Sequence, residues 1–90
     1  MKQLFYFSAD WCEPCKKLGP IMDQVSQKIT VQKINIDYEA NITSKYGVRN
    51  IPTVILVEKG QELRRFTGPR SLQQILEFIR SQLIRELLNE

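Results

Sequence analysis

Both cysteines of the chain stand in one pentapeptide, Trp11-Cys12-Glu13-Pro14-Cys15, and that spacing shapes the backbone around them. Two intervening residues let the sulfurs reach each other. Pro14 suits the first turn of a helix, where its missing N–H costs nothing. A helix starting there aims its free N–H groups at Cys12, and the partial positive charge of a helix N-terminus favours a thiolate over a thiol. A thiolate attacks disulfides, and a second thiol nearby can then release the mixed disulfide. The pair points to dithiol redox chemistry.

Other uses of two cysteines fit less well. A structural disulfide here closes a very small loop, so it constrains the unfolded chain only modestly. A zinc centre takes about four ligands. With no histidine and no third cysteine, zinc would need a second subunit or carboxylates, and no metal site is expected. Pro14 and the helix start also argue against an accidental pair of buried thiols.

The flanking sequence alternates between strand and helix patterns. Gln3 to Phe7 is a nearly continuous apolar run, as expected of a strand covered on both faces. Leu18, Ile21, Met22, Val25 and Ile29 recur at helical spacing, and Pro20 should kink that helix by removing a hydrogen bond and crowding the preceding turn. Val31 to Ile36 alternates apolar and polar residues, with Gln32, Lys33 and Asn35 expected on the polar face. Strand, helix, strand at this length implies a right-handed βαβ unit with parallel strands. Ile42 to Tyr46 makes one or two helical turns ended by Gly47.

The second half carries different signals. Thr53 to Val57 and Leu63 to Thr67 read as strands, joined by a tight hairpin at Lys59-Gly60. Gly68-Pro69 then breaks the chain. Ser71 and Gln74 form a capping box that opens a last helix, with Leu72, Ile75, Leu76, Ile79 and Leu83 on its apolar face. The expectation is one α/β domain over residues 1–90, a minimal βαβ followed by ββα, with a four-stranded mixed sheet and flanking helices.

Composition narrows the class further. Hydrophobic residues at 42% and charged residues at 26% are ordinary for a soluble globular domain. The net charge is +3, but the basic residues are interleaved with acids, so no nucleic-acid footprint is expected. The run Leu4 to Phe7 is too short for a signal-peptide core, and no segment is long enough to span a membrane. A cytoplasmic, reducing setting follows as the expectation. No nucleotide-binding glycine motif occurs, so no bound cofactor is expected.

Several spaced motifs together resemble the thioredoxin family over nearly the whole chain. They are W-C-x-P-C-K at Trp11 to Lys16, Pro20 in the first helix, K-I-N-I-D at Lys33 to Asp37, Y-G-V-R-x-I-P-T at Tyr46 to Thr53, and Gly60 and Gly68. The resemblance implies the thioredoxin fold without the N-terminal strand and helix that full-length members carry. It implies a cis peptide bond between Ile51 and Pro52, with the proline facing the active-site disulfide and nearby backbone groups free to pair with an extended substrate. It assigns Cys12 as the attacking thiolate and Cys15 as the resolving thiol. Trp11, Pro14, Ile51 and Gly68 fall on the substrate-facing surface, and Lys33 matches a lysine with an electrostatic or proton-transfer role.

Three positions depart from the family pattern. Tyr6 stands where thioredoxins hold a buried aspartate credited with helping to deprotonate the resolving cysteine. Glu13 replaces a glycine, and its charge opposes a thiolate while Lys16 and Lys17 favour one. Destabilising the thiolate makes a dithiol more reducing, so Glu13 pushes toward a reductant. Ser8 replaces a tryptophan found in many thioredoxins. Beyond the last helix's expected face, Ile84, Leu87 and Leu88 are further apolar positions.

The resemblance implies a monomeric protein disulfide reductase acting on disulfide-containing proteins and recharged by a reductase or thiol donor of the thioredoxin reductase type. Two alternatives remain open at this point. One is a glutaredoxin-like oxidoreductase coupled to glutathione. The other is a thioredoxin-fold binding module of a larger assembly, in which the thiols are incidental.

Overall fold

The apolar run Leu4 to Phe7 lies in β1 (Lys2–Ser8), a strand whose two faces are both covered. In the computed structural model, which describes the backbone of residues 1–88 and the side chains of residues 1–81, β1 is followed by α1 (Glu13–Val25) and β2 (Thr30–Asn35). Next come α2 (Ala40–Lys45), β3 (Thr53–Glu58), β4 (Gln61–Thr67) and α3 (Leu72–Leu88). The strands form one sheet in the order β2-β1-β3-β4. β1 pairs in parallel with β2 and antiparallel with β3, and β3 pairs antiparallel with β4. The expected mixed sheet of βαβ and ββα is thus present.

Pleating sorts the central strands into two layers, because successive side chains point to opposite faces. Leu4 and Tyr6 of β1, with Val54 and Leu56 of β3, meet Leu18, Met22 and Val25 of α1 and Ile75 of α3. Phe5 and Phe7, with Ile55 and Val57, face the other way onto Ile34, Ile42, Tyr46 and Val48. Phe5 and Tyr46 meet edge to face, with ring centroids 5.5 Å apart. A strand buried on both faces has no solvent side to mark with polar residues, which is why β1 and β3 show no alternation.

Several boundaries shift from the sequence expectation. α1 stops at Val25, where Ser26 caps it, and the N–H groups of Lys28 and Ile29 both turn back to the Val25 carbonyl. Ile29 still packs on the core, but from the turn that leads into β2. Gln32 does not share a face with Lys33. Val31 packs with the α1 layer and Ile34 with the α2 layer, so Lys33 lies on the α1 side and Gln32 opposite. On α3, Leu72, Ile75 and Ile79 face the core as expected. Phe78 joins them, standing edge to face with Phe66 at 5.1 Å. Leu83, Ile84, Leu87 and Leu88 lie outside the described side chains.

The local stop and start signals behave as their chemistry requires. Glu58 pairs with Gln61 across a two-residue turn in which Lys59 and Gly60 both have positive φ (53° and 78°). This is the geometry that matches the twist of the strands it joins. Gln74 N–H donates to the Ser71 hydroxyl while the Gln74 side chain accepts from Ser71 N–H, closing the capping box at 3.1 and 2.9 Å.

Edge strand β4 is clipped to the end of α2 by Arg65. Its guanidinium donates to both Glu62 carboxylate oxygens and to the Tyr46 carbonyl, each at 2.6 Å. The hydrogen bonds from Arg65 hold the Glu62 carboxyl below its ordinary range, with partial burial opposing them. A depressed folded-state value stabilises the fold above the ordinary glutamate range and loses that contribution as pH falls toward the lowered value. Glu62→Gln should therefore lower the unfolding free energy by about 0.2–1 kcal/mol at neutral pH, the range for solvent-accessible pairs. In urea titrations the difference from the parent should vanish in acid. A difference that persists unchanged in acid would mean the clip works without the carboxylate charge.

Candidate active site

The site forms where the C-terminal end of β1 runs into α1. Cys12 N–H donates to the Ala9 carbonyl at 3.2 Å, closing a turn that places Cys12 as the N-cap of the helix. Its φ and ψ of −90° and 109° are extended, the usual conformation at that position. Pro14 falls in the first helical turn, as its chemistry favours. The helical turn begun by the two intervening residues brings the Cα atoms of Cys12 and Cys15 to 5.2 Å, and the two sulfurs are joined as a disulfide. The Cys15 N–H donates to Cys12 Sγ at 3.2 Å, so a helix-start amide already points at that sulfur.

Burial does not separate the two cysteines. Each keeps 4% of its surface. They pack with Ala9, Ile36 and Ile51, all apolar. What distinguishes them is their place in the helix: Cys12 caps it, and Cys15 lies within its first turn.

Ile51 and Pro52 reach the pair from the other half of the chain. The peptide bond between them is cis, as the resemblance implies. Ile51 packs on the dithiol cluster, and among the described residues no hydrogen bond uses its backbone N–H or carbonyl. Thr53 anchors the loop by donating its hydroxyl to the Asn50 carbonyl at 2.6 Å. Gly68 N–H donates to the Pro52 carbonyl at 2.8 Å, with a φ of 91° that an L side chain would strain. Gly68 therefore lies beside Pro52.

Trp11 is 65% exposed, and its indole N–H donates to Asp37 Oδ2 at 2.9 Å. Asp37 is in turn held by its own N–H on Asn35 Oδ1, and Asn35 Nδ2 reaches back to Asp10 at 3.3 Å. This chain of contacts joins the loop before α1 to the loop after β2. Asp37 belongs to the K-I-N-I-D motif, yet motif spacing alone assigned it no partner.

The charges around the pair are largely matched. Lys16 lies 3.0 Å from Glu13, so the acid introduced between the cysteines has a cation of its own helix beside it. Lys33 Nζ lies 2.7 Å from Asp23 Oδ1, and both side chains are mostly exposed. Tyr6, on β1, is buried with its hydroxyl donating to the Cys15 carbonyl at 2.9 Å. Burial pushes the Tyr6 phenol up, Ser8 and Lys33 pull it back, and Asp23 adds to the rise. Tyr6 is therefore an undissociated donor at neutral pH. Among the described residues, no cluster of three or more histidines, cysteines or acids is placed to hold a metal. Nor is any described helix long and apolar enough to cross a membrane.

Comparison with known proteins agrees with this geometry. The family model for thioredoxin matches residues 1–81. A thioredoxin of Rickettsia felis is 40% identical over 81 residues, which span 86% of this chain and 77% of that protein. Thioredoxin 1 of a Nostoc species is 38% identical over 78 residues, 79% of this chain and 73% of its own. Among solved structures, a mutant thioredoxin from Halobacterium salinarum superposes with a TM-score of 0.84 at 31% identity, covering 90% of this chain and 74% of that one. A disulfide at a helix start, in a chain matched along most of its length, leaves one conclusion: the protein belongs to the thioredoxin family and is a thiol–disulfide oxidoreductase.

Proposed function

We propose that this chain is a protein disulfide reductase in which Cys12 attacks and Cys15 resolves. The observation that carries this reading is the Cys15 N–H aimed at Cys12 Sγ at the start of α1. In the reduced protein that amide would donate to a thiolate, and hydrogen bonds to a charged acceptor are the stronger kind. Cys15 has no such donor on its sulfur among the described contacts, so it serves as the thiol held in reserve.

The steps balance as two-electron exchange. The Cys12 thiolate attacks one sulfur of a substrate disulfide, forming a mixed disulfide and expelling the other sulfur as a thiolate. Cys15 then loses its proton and attacks Cys12 Sγ, which breaks the mixed disulfide and frees the second substrate sulfur. The substrate gains two electrons and two protons, and the Cys12–Cys15 disulfide is formed. A reductase or dithiol donor of the thioredoxin reductase type restores the dithiol, so the chain itself needs no bound cofactor.

The substrate is an extended segment of a disulfide-containing protein. The unused N–H and carbonyl of Ile51, beside the sulfurs, offer it strand-like pairing, with Pro52 and Gly68 forming the adjoining wall. Trp11 and Pro14 form the exposed rim. Lys33, paired with Asp23, has an electrostatic role here. The setting we propose is a monomer in the cytoplasm, where a reducing poise keeps such a dithiol in its working form.

The test is the reduction potential of the Cys12–Cys15 pair, measured by equilibration in thiol–disulfide buffers with Trp11 fluorescence as the probe. A value below the cytosolic glutathione poise of about −220 to −260 mV is expected. A value near or above that poise would replace the reductase by a glutathione-coupled or oxidising role. The absence of any reversible two-thiol transition would leave only the binding module.

A further inference from the structure

We propose that Tyr6 is a positioning residue for the dithiol: its hydroxyl holds the Cys15 carbonyl so that the Cys15 N–H stays aimed at Cys12 Sγ after reduction, favouring the Cys12 thiolate. The inference rests on the redox reading above and adds a residue to it. Tyr6 keeps only 3% of its surface, and its hydroxyl donates to the Cys15 carbonyl at 2.9 Å.

Cys15 is thereby gripped at both ends. Its N–H is taken by Cys12 Sγ and its C=O by Tyr6. The two contacts differ in what happens to them during turnover. Opening the disulfide removes the covalent tie that fixes the N-cap against the first turn of α1, and the Cys15 N–H is then aimed at Cys12 Sγ only by how the Cys15 backbone is held. The carbonyl contact comes from β1, in the middle of the sheet and buried on both faces, which gives it a rigid base. Within the helix the same carbonyl is also an acceptor of the i→i+4 ladder, so the hydroxyl reinforces a bond the helix already makes. Pro20 follows closely and has no N–H to give to Lys16, which weakens the ladder at the next carbonyl. An external anchor matters most at such a place.

The hydroxyl works as a donor and not as a base. Burial raises the phenol above its ordinary range, so it stays protonated across the physiological range. The charged groups that bear on Tyr6 are Lys33 from β2 and Asp23 from α1, joined to each other, with Ser8 of β1 as the neutral neighbour. Near the sulfurs the charges are Asp10 in the preceding loop, Glu13, Lys16 and Lys17 on α1, and Asp37 after β2, which holds Trp11. The side chains packed on the sulfurs from the remaining elements, Ala9, Ile36 and Ile51, carry no charge.

Tyr6→Phe tests this by removing one oxygen while keeping the ring. The rate of Cys12 alkylation by iodoacetamide, followed against pH in the reduced protein, should show its midpoint rise by about half a unit to one unit. The equilibrium constant with glutathione should move about three- to tenfold toward the protein disulfide, the range for one net hydrogen bond. Exchange of the Cys15 amide in the reduced protein should speed up while that of Ile55, in the centre of the sheet, does not. Tyr46→Phe is the control. It deletes a hydroxyl that donates to the Gly60 carbonyl at 2.7 Å on the opposite face of the sheet, and it should move none of these readouts. An unmoved alkylation midpoint and glutathione constant in Tyr6→Phe would overturn the proposal, as would equal shifts in Tyr46→Phe. Both results are distinct from failure of the redox reading, which would appear as a parent protein with no reversible dithiol transition.

Discussion

Cys12→Ser should abolish reduction of a protein disulfide such as insulin, and Cys15→Ser should stop the same reaction one step later. A serine hydroxyl is almost wholly protonated at neutral pH and cannot take the sulfur's part in exchange, so without Cys12 no mixed disulfide forms. The rate should fall to that of the thiol reductant alone. Without Cys15 the attack still occurs, but nothing nearby releases the product. The protein should then accumulate as a covalent adduct with its substrate, visible as a shifted band on a non-reducing gel and dissolved by added dithiol. The contrast between the two variants carries the assignment. Adduct formation by Cys12→Ser and not by Cys15→Ser would exchange the two roles. Full activity in both would remove the dithiol from the mechanism.

Neither variant should unfold the protein. The disulfide joins residues only three apart, so its loss releases little loop entropy. The fold is held elsewhere, and the second large effect lies there. Phe7→Ala is expected to cost about 3–5 kcal/mol, the range for truncating a buried aromatic. Phe7 keeps none of its surface and stands 6.4 Å from Phe5 and 6.5 Å from Tyr46, in the layer that α2 covers. A domain of this size has a total stability of about 5–13 kcal/mol, so the variant would be left marginal. Urea denaturation followed by circular dichroism reads this as a lower midpoint with an unchanged slope. A loss under about 1 kcal/mol would mean the layer collapses into the space without penalty, and that α2 is not rigidly seated.

Phe7 belongs to a run whose sequence does not encode the two core layers. Leu4, Phe5, Tyr6 and Phe7 are all buried, and a run without alternation carries no record of which face each residue takes. β2 does alternate, yet polarity alone puts Gln32 on the face of Lys33, whereas the pleat puts them on opposite faces. An edge strand can carry polar residues on both faces, and only the packing of Val31 and Ile34 on opposite layers sorts them.

The candidate site divides along similar lines. The cysteines, Pro14 and Pro52 stand out as residue types with strong local preferences. The resemblance puts Trp11 on the rim, but nothing near it in the sequence marks its partner. Asp37 lies 26 residues away, and the contact exists because β2 runs beside β1 and delivers the next loop to the same end of the sheet. Tyr6 departs from the family pattern in the sequence, but spacing does not encode that its hydroxyl reaches the Cys15 carbonyl.

Local interactions were legible because both partners sit within a few residues and their geometry follows from backbone stereochemistry. The start of α1 at the cysteine pair, the hairpin turn at Lys59-Gly60 and the capping box of Ser71 and Gln74 all belong to this class. Contacts between layers belong to another. The approach of Ile51 to Cys12 and Cys15, the grip of Tyr6 on Cys15 and the tie from Trp11 to Asp37 depend on strand order, pleat and helix seating at once. Those arise from burial, which rewards apolar area whatever its position in the chain, so no short-range pattern encodes which distant groups it brings together.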